Sequence, residues 1–307
     1  MVTDIESKFL GAMVGSAIGD AIGELAFMIS DRDRLLAYLE TASELRYTDD
    51  TAMAIGLAES IVQEQGINQE ALGKAFSRNF LREPWRGYAS GPPTIFSEVE
   101  TQGIPYVEAA RRLFRGSGSL GNGAAMRVAP AGLFFYQASD LYEQACASAA
   151  VTHAHPVGMD GAAVQARAVS QAVKLDPQKE FPTEAVIRDL ADFARTPEIK
   201  AKMTTVQENI KEDRPPHVAA NRIGRTVAVH ESMPFAVYAF LRHPKSFQEC
   251  LFCATLNGGD RDTLGAMACA ISGAHLGIHA IPQTWRERLE NREYIEELAL
   301  ELSRLTS

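Results

Sequence analysis

The sequence predicts an all-α protein, and three observations lead to that expectation. Most of the chain reads as alanine-rich helical stretches joined by turns rich in glycine and proline. No run of alternating β-branched residues with hairpin chemistry indicates a strand. No Gly/Ser linker or charge block divides the chain, so we expect one helical domain over 1–307, with 211–216 as a surface excursion. The predicted helices cover 5–24, 51–64, 69–81, 94–102, 106–114, 124–137, 140–152, 158–174, 183–194, 197–211, 231–242, 246–256, 263–277 and 292–305.

The first predicted helix carries glycine at every fourth position, at Gly11, Gly15, Gly19 and Gly23. This stripe removes side chains from one face, so another backbone can approach closely. Each glycine costs a helix about 1 kcal/mol relative to alanine, which indicates a buried helix at the centre of the fold. Asp20 lies beside the stripe, and a charge in that position needs a partner.

Charge and local composition exclude several classes of protein. Acidic residues outnumber basic residues, 39 to 30, and the net charge of −9 argues against a nucleic-acid-backbone binder. Asp4 and Glu6 stand where a signal peptide needs basic residues. Asp20 and Glu24 interrupt the apolar window 9–28, which argues against a membrane span. We therefore expect a cytoplasmic protein that binds neither nucleic acid nor membrane directly.

Cysteine is sparse, with four in the chain. Cys250 and Cys253 form a CxxC pair, which can be a redox pair or half a zinc site. The second half of a zinc site is missing, and the helical run 247–256 places both thiols on one apolar face. We expect buried, inert thiols in a reducing compartment.

Two acidic turns are the strongest functional feature. Thr48-Asp49-Asp50-Thr51 and Asp260-Arg261-Asp262-Thr263 each pack two carboxylates and hydroxyls just before a small-residue helix. Singly, such a turn reads as a helix N-cap. Together they indicate a site for hard cations such as Mg²⁺, which prefer oxygen ligands. Four carboxylates in one small volume need protons or cations between them, and a two-metal site is the economical interpretation if the turns converge.

A glycine-rich loop follows in the middle of the chain, Gly116-Ser117-Gly118-Ser119-Leu120-Gly121-Asn122-Gly123. Its backbone N–H groups and the helical run after it can form a phosphate cradle. It lacks the Lys-Ser/Thr ending of a Walker loop and does not open a βαβ unit. A flexible connector explains the loop equally well.

Two further segments contain candidate site residues. His153 and His155 form an HxH motif that can ligate a transition metal, although a histidine that caps the last carbonyls of a helix is the commoner case. One of the two can also hydrogen-bond a ligand. The segment 85–93 is aromatic and glycine-rich, as in loops that line pockets or simply connect helices.

In this combination and order, the motifs resemble those of the ADP-ribosylglycohydrolase family. The resemblance covers nearly the whole chain, and its middle motifs are similar to the serine ADP-ribosylhydrolase branch. It is carried by Gly11-Ala12, Gly19-Asp20-Ala21, Tyr47 to Ala54, Arg86-Gly87-Tyr88, Gly118 to Gly123, Ala125 to Val128, Glu231 to Pro234 and Gly258 to Thr263.

The resemblance implies an orthogonal multi-helix bundle with two Mg²⁺ or Mn²⁺ ions in a central cleft. The implied ligands are Thr48, Asp49, Asp50, Asp260, Asp262 and Thr263, with Thr51 left as a helix cap. The implied diphosphate site is Gly118, Ser119, Gly121 and Asn122. The resemblance also implies that Phe114 and Leu120 flank the adenine, that His153 contacts the ligand near the ribose, and that Gly87 borders the distal ribose.

Three positions depart from the family pattern. Arg261 replaces a threonine between two acids, and we expect its side chain to point away from the metals. Leu120 replaces an aromatic residue, which weakens adenine stacking. Phe27 stands where the serine branch has a catalytic glutamate, and Glu24 is the nearest carboxylate.

The resemblance implies Mg²⁺-dependent hydrolysis that removes ADP-ribose from modified protein side chains or related O- or N-linked substrates. The general base would be Asp49 or Asp262 of the cluster, or Glu24. The partner would be ADP-ribose or an ADP-ribosylated protein, and we expect a monomer. The alternatives are a non-catalytic ADP-ribose-binding relative and a Mg²⁺ hydrolase of another ribosyl or phosphoryl substrate.

Overall fold

A computed structural model describes residues 4–306, and its regular elements are helices, as the sequence predicts. Within that range, extended pairing is limited to isolated bridges between Leu45 and Leu289 and between Gly121 and Ala228. A short 3₁₀ segment, Ile278–Ala280, follows α16. The α-helices are α1 Asp4–Met28, α2 Arg32–Thr41, α3 Asp49–Glu64, α4 Gln69–Arg82, α5 Gly91–Gln102, α6 Tyr106–Gly116, α7 Gly123–Met126, α8 Ala129–Phe134, α9 Leu141–Ala150, α10 Pro156–Lys174, α11 Thr183–Phe193, α12 Pro197–Lys211, α13 Pro216–Ile223, α14 Val229–Arg242, α15 Phe247–Thr255, α16 Arg261–Leu276, α17 Gln283–Arg288 and α18 Arg292–Leu305.

The centre of the fold is the antiparallel pair α1 and α16, which touch backbone to backbone. A Cβ built on Gly11 would lie 2.3 Å from the carbonyl oxygen of Gly273, and one on Gly19 would lie 2.2 Å from that of Gly265. At the far end, a Cβ on Gly23 would lie 2.4 Å from the Arg261 carbonyl oxygen. The glycine stripe therefore serves close helix packing, as predicted, and α16 supplies glycines of its own at the crossing.

Helix α1 is a core helix. Its length and apolarity would suffice to cross a membrane, but 89% of its most apolar window is buried inside the protein. Its side chains join one continuous apolar cluster that extends from Phe9 to Leu302. Burial of this kind accounts for the hydropathy of the segment without a membrane.

The predicted helix 124–137 is wrong in detail, because the structure divides it into α7 and α8. Arg127 and Val128 separate the two, and Pro130 lies in the first turn of α8, where its missing N–H costs no intrahelical hydrogen bond. Helices α2, α13 and α17 were not predicted, because each buries few residues and so carries a weak apolar pattern. In α2, for example, only Leu35 and Leu39 are buried.

The prediction that both thiols of the CxxC pair are buried is confirmed. Cys250 and Cys253 are both buried and free on α15. Burial raises the pKa of the Cys253 thiol to about 12 and holds that of the Cys250 thiol well above its usual value. A thiol that stays protonated is a poor nucleophile and a poor metal ligand.

Candidate active site

Asp20 is the residue that ties α1 to the start of α3. Its carboxylate is fully buried and accepts hydrogen bonds from the backbone N–H of Thr48 at 3.0 Å and of Thr51 at 3.0 Å. It also accepts from the hydroxyls of Thr48 at 2.8 Å and Thr51 at 2.6 Å. Burial raises the pKa of Asp20 to about 6, against the lowering effect of these four donors. The charge beside the glycine stripe therefore has its partners.

This arrangement corrects the role expected of Thr51. Thr48 is the N-cap residue of α3, and its side chain makes no capping hydrogen bond to the helix. Thr51 lies inside the first turn and donates to Asp20. The carboxylate of Asp20, supplied by another helix, thus satisfies N–H groups at the start of α3 that have no intrahelical partner.

The two acidic turns converge in the fold. Asp49 and Asp50 open α3, while Asp260 and Asp262 flank the start of α16. Burial first, and then the neighbouring charge of Asp262, holds the pKa of Asp50 well above its usual range. Burial raises the pKa of Asp49 to about 7 with a further contribution from Asp20, and that of Asp262 to about 8 with one from Asp260. Carboxylates influence one another in this way only across short distances.

These side chains have the donor chemistry of a hard-cation site. Asp50 Oδ1 is buried and has no hydrogen-bond partner among the described residues. The hydroxyl of Thr263 lies 3.9 Å from the sulfur of Met126, a weak acceptor. Within 4–306 no three Asp, Glu, His or Cys side chains form a group that could hold a metal ion as it stands. The side chains of both turns are nevertheless oxygen donors, the type that hard cations prefer.

The acidic turns open into a cavity of about 710 Å³. Residues from both turns, the glycine loop, the 87–92 segment and α6 line it. Among the residues expected from the sequence, those that line it are Asp49, Asp50, Gly87, Phe114, Gly118, Ser119, Leu120, Gly121, Asn122, His153, Asp260, Asp262 and Thr263. Two expected residues, Thr48 and Glu24, do not line it. Thr48 lies behind the wall, with its hydroxyl 3.3 Å from Asp50 Oδ2.

The glycine loop is fixed along its length. The N–H of Gly118 donates to the Leu113 carbonyl at 3.0 Å, and a Cβ on Gly118 would lie 2.7 Å from the N of His155. The N–H of Asn122 donates to the Val227 carbonyl at 2.9 Å, and its side-chain amide donates to Asp260 at 2.7 Å. The loop is therefore coupled directly to the second acidic turn.

The two histidines of the HxH motif have different surroundings. His153 is buried under the loop, with Nδ1 2.8 Å from the Thr152 hydroxyl and the ring against Gly121 and Gly123. Burial, aided by Arg127, lowers the pKa of His153 to about 3, so this imidazole is neutral at physiological pH. His155 accepts from the N–H of Val157 and caps the start of α10. The expected capping of the preceding helix's carbonyls is wrong for His155.

The cavity mouth is apolar and strained. Phe114 is 66% exposed and adopts a left-handed conformation with φ 51°. Leu120 is 38% exposed on the facing loop. Gly87 has φ 90°, and a Cβ there would lie 3.8 Å from Asp49 Oδ1. Left-handed backbone at non-glycine residues costs about 1 kcal/mol or more and often marks a ligand site.

Glu24, Phe27 and Arg261 lie outside the cavity lining. Glu24 is exposed on α1, next to Gly23, whose Cβ position would be 2.5 Å from the Asp262 Cα. Phe27 is 48% exposed. Arg261 donates to the Thr255 carbonyl at 2.6 Å, which confirms that its side chain points away from the carboxylates.

Sequence reasoning missed several residues of the site. Met53 lines the cavity one helical turn after Asp49, and that spacing on α3 is a usable signal. Val227 and Ala228 line it through their pairing with the loop, which no local pattern indicates. Arg127 contacts the carbonyl of Gly123, which lines the cavity, and the sequence indicated Arg127 only as part of the motif from Ala125 to Val128.

The ADP-ribosylglycohydrolase profile matches residues 1–307. ADP-ribosylhydrolase ARH3 of Mus musculus is 31% identical over 97% of this chain and 92% of its own length. An uncharacterized protein of Archaeoglobus fulgidus is 32% identical over 98% of this chain and 97% of its own length. A solved structure described as an ADP-ribosylglycohydrolase-related protein complex has a TM-score of 0.73 at 26% identity and covers 99% of both chains.

Proposed function

The chain belongs to the ADP-ribosylglycohydrolase family, and from that premise we propose a Mg²⁺-dependent hydrolase that removes ADP-ribose from modified protein side chains or related O- or N-linked substrates. The observation that carries the proposal is that one cavity is lined by the carboxylates of both acidic turns and by the glycine loop. We further propose that the chain acts as a monomeric, single-domain, cytoplasmic enzyme on ADP-ribose or ADP-ribosylated protein.

The metal ligands we propose are the oxygens of both turns. Asp49, Asp50, Asp260, Asp262 and Thr263 border the cavity and would hold two Mg²⁺ or Mn²⁺ ions. Thr48 is held by Asp20 and would contribute from behind Asp50. When bound, the ions supply Lewis-acid polarisation and orient the distal ribose hydroxyls. The unpartnered Asp50 Oδ1 supports this proposal, since a buried carboxylate oxygen without a donor is costly.

The rest of the cavity fits the remaining parts of ADP-ribose. The loop from Gly118 to Asn122 would hold the diphosphate, and Phe114 with Leu120 would enclose the adenine at the apolar mouth. Neutral His153 would hydrogen-bond the adjacent ribose, and Gly87 would border the distal ribose opposite Asp49. The anomeric carbon would then lie among the carboxylates.

The general base we propose is a carboxylate of the cluster. Hydrolysis proceeds through an oxocarbenium-like transition state and needs a base for the attacking water. Asp49 and Asp262 line the cavity in which that water would lie, which supports this role for one of them. Glu24 is adjacent to Asp262 but exposed, so it would need to turn inward to take this role.

Two other functions are compatible with the same cavity. A non-catalytic ADP-ribose-binding relative is favoured by Phe27 and by the position of Glu24 outside the cavity lining. A Mg²⁺ hydrolase of another ribosyl or phosphoryl substrate would use the same acidic turns.

Release of free ADP-ribose separates the three. The protein is incubated with serine-linked, arginine-linked and polymeric ADP-ribose, with Mg²⁺ and with EDTA, and products are separated by chromatography. We expect Mg²⁺-dependent release from at least one substrate. No release with retained ADP-ribose binding would establish the binding relative, and neither release nor binding would favour the third function.

A further inference from the structure

The cavity has a charge problem if its ligand is a diphosphate. Among the described residues that line it, four are aspartates and none is lysine or arginine. Both of its histidines are poor substitutes, because His153 is neutral and the imidazole of His155 caps α10. An anion that enters an acid-lined, low-dielectric cavity is repelled unless a positive charge lies nearby.

Arg127 is a buried cation beside the cavity lining. It follows α7, directly after the glycine loop, and its side chain is only 1% exposed. Among residues 4–306 no carboxylate forms an ion pair with it; burial lowers the pKa of Arg127 to about 9, and the nearby charge of Asp49 opposes that shift. A buried guanidinium without an ion-pair partner is rare, since its desolvation is expensive.

The guanidinium lies one layer beneath the cavity floor. One nitrogen donates to the carbonyl of Gly123 at 3.1 Å and lies 3.8 Å from the sulfur of Met53, and both of these residues line the cavity. The other nitrogen donates to the Ser148 carbonyl at 3.2 Å. The plane stacks over the ring of Phe76, 4.4 Å from its centroid. These contacts hold the charge in place without neutralising it.

We propose that Arg127 is a fixed, buried positive charge that lets this acid-lined cavity bind the diphosphate of its ligand. The inference rests on the proposed function, because it takes the ligand to be a nucleoside diphosphate sugar. Arg127 acts across Gly123 and Met53 without touching the ligand. It therefore contributes to affinity for phosphate-bearing ligands and not to affinity for the nucleoside.

The charge balance of the loaded site supports this role. Asp20 and the four aspartates of the turns carry five negative charges when ionised, and two divalent cations would supply four positive ones. One negative charge remains, and Arg127 cancels it. With Arg127 present, the metal-loaded site that receives the diphosphate would have a net charge of zero. Without Arg127, that site would keep one negative charge.

The test is calorimetric titration of ADP-ribose and of adenosine into wild type, Arg127→Gln and Arg127→Lys, with Mg²⁺ present. Glutamine keeps a donor for the carbonyls and removes the charge, while lysine keeps the charge. We expect Arg127→Gln to weaken ADP-ribose binding by about tenfold or more and to change adenosine binding by less than about twofold. We expect Arg127→Lys to lose less ADP-ribose affinity than Arg127→Gln, because lysine keeps a cation but has neither the flat guanidinium that stacks on Phe76 nor its paired donors.

Two controls separate charge from folding. Arg167→Gln removes another stacked arginine, which covers Phe193 and pairs with Asp189 outside the cavity lining, and it should leave both affinities unchanged. Circular dichroism reports whether each variant folds. If Arg127→Gln does not fold, the inference is tested by the ADP-ribose affinity of Arg127→Lys and by the salt dependence of wild-type affinity. Because a buried charge is weakly screened, wild-type affinity for ADP-ribose should change by less than about threefold from about 0.05 to 0.5 M NaCl.

Three outcomes overturn the inference. Equal losses for ADP-ribose and adenosine in Arg127→Gln would assign Arg127 a structural role alone. A lysine variant as weak as the glutamine variant, or a steep salt dependence, would show that buried charge is not the cause. If wild type binds adenosine but not ADP-ribose, or binds neither, the proposed function itself fails, which is a different result from the first two.

Discussion

Replacing Gly19 by alanine tests whether the contact between α1 and α16 sets both stability and the geometry of the site. The new Cβ would lie 2.2 Å from the Gly265 carbonyl oxygen and 2.5 Å from its carbon. Ordinary C···O contacts are about 3.3 Å or longer, so the helices must separate by about 1 Å. Both contacts are backbone, which means that no side-chain rotation can relieve them.

The magnitude follows from two opposing effects. Overpacking of this kind costs about 3 kcal/mol, and the better helix propensity of alanine returns about 1 kcal/mol. We therefore expect the free energy of unfolding to fall by about 2 kcal/mol. The same displacement moves Asp262, at the start of α16, relative to Asp20 and Asp50, and a misplacement of about 1 Å can lower kcat about a hundredfold.

Gly56→Ala is the matched control. Gly56 is also a buried helical glycine, but a Cβ there would meet only side chains of Asn79 and Phe76, at 3.1 Å. These can shift, so we expect a stability change within about 1 kcal/mol and unchanged activity. Urea denaturation followed by circular dichroism gives the stabilities. A Gly19→Ala protein as stable and active as Gly56→Ala would refute the backbone contact.

Three further expectations concern the acidic cluster. Asp20→Asn places an amide beside the N–H donors of Thr48 and Thr51, so at least one donor loses its acceptor and the free energy of unfolding should fall by about 2 kcal/mol in urea denaturation; an unchanged value would contradict the capping role. The pKa of Asp49 is raised to about 7 and that of Asp262 to about 8, so the metal-free folded state binds protons more tightly than the unfolded state. The stability that these two groups contribute is therefore fully present below about pH 4 and is lost as the pH rises to about 8. Thermal melts in EDTA should show this fall in wild type and a smaller one in Asp50→Asn, and parallel curves would contradict the coupling of the carboxylates. Asp262→Asn should lower kcat by about a hundredfold or more, while Glu24→Gln should lower it by less than about tenfold; the reverse order in steady-state assays would assign the base to Glu24.

Local sequence patterns were sufficient where one short segment determines the structure. The four-residue glycine spacing predicted a bare helix face, and the CxxC pair on an apolar helix predicted buried thiols. The all-α class followed from the same periodicities. Short helices such as α2 escaped because few of their residues are buried and a cap decides where they start.

The site required information that local patterns do not contain. The donors of Thr51 are satisfied by Asp20, 31 positions earlier, so a local cap was the wrong interpretation. His155 caps the helix after it because the chain turns at Pro156. Arg127 is a functional candidate only because tertiary packing buries it beneath the loop without a carboxylate partner, and burial of a single arginine cannot be read from its neighbours in sequence.

The most direct test of the two-turn metal site is Mg²⁺ titration of Asp260→Ala, combined with the assay for ADP-ribose release. Asp33→Ala, which removes an exposed aspartate on α2, is the control. Asp260 borders the cavity and also holds Asn122 of the glycine loop, so its loss should abolish both Mg²⁺ binding and release while the helical circular dichroism signal stays near wild type. Full Mg²⁺-dependent activity in Asp260→Ala would contradict the site.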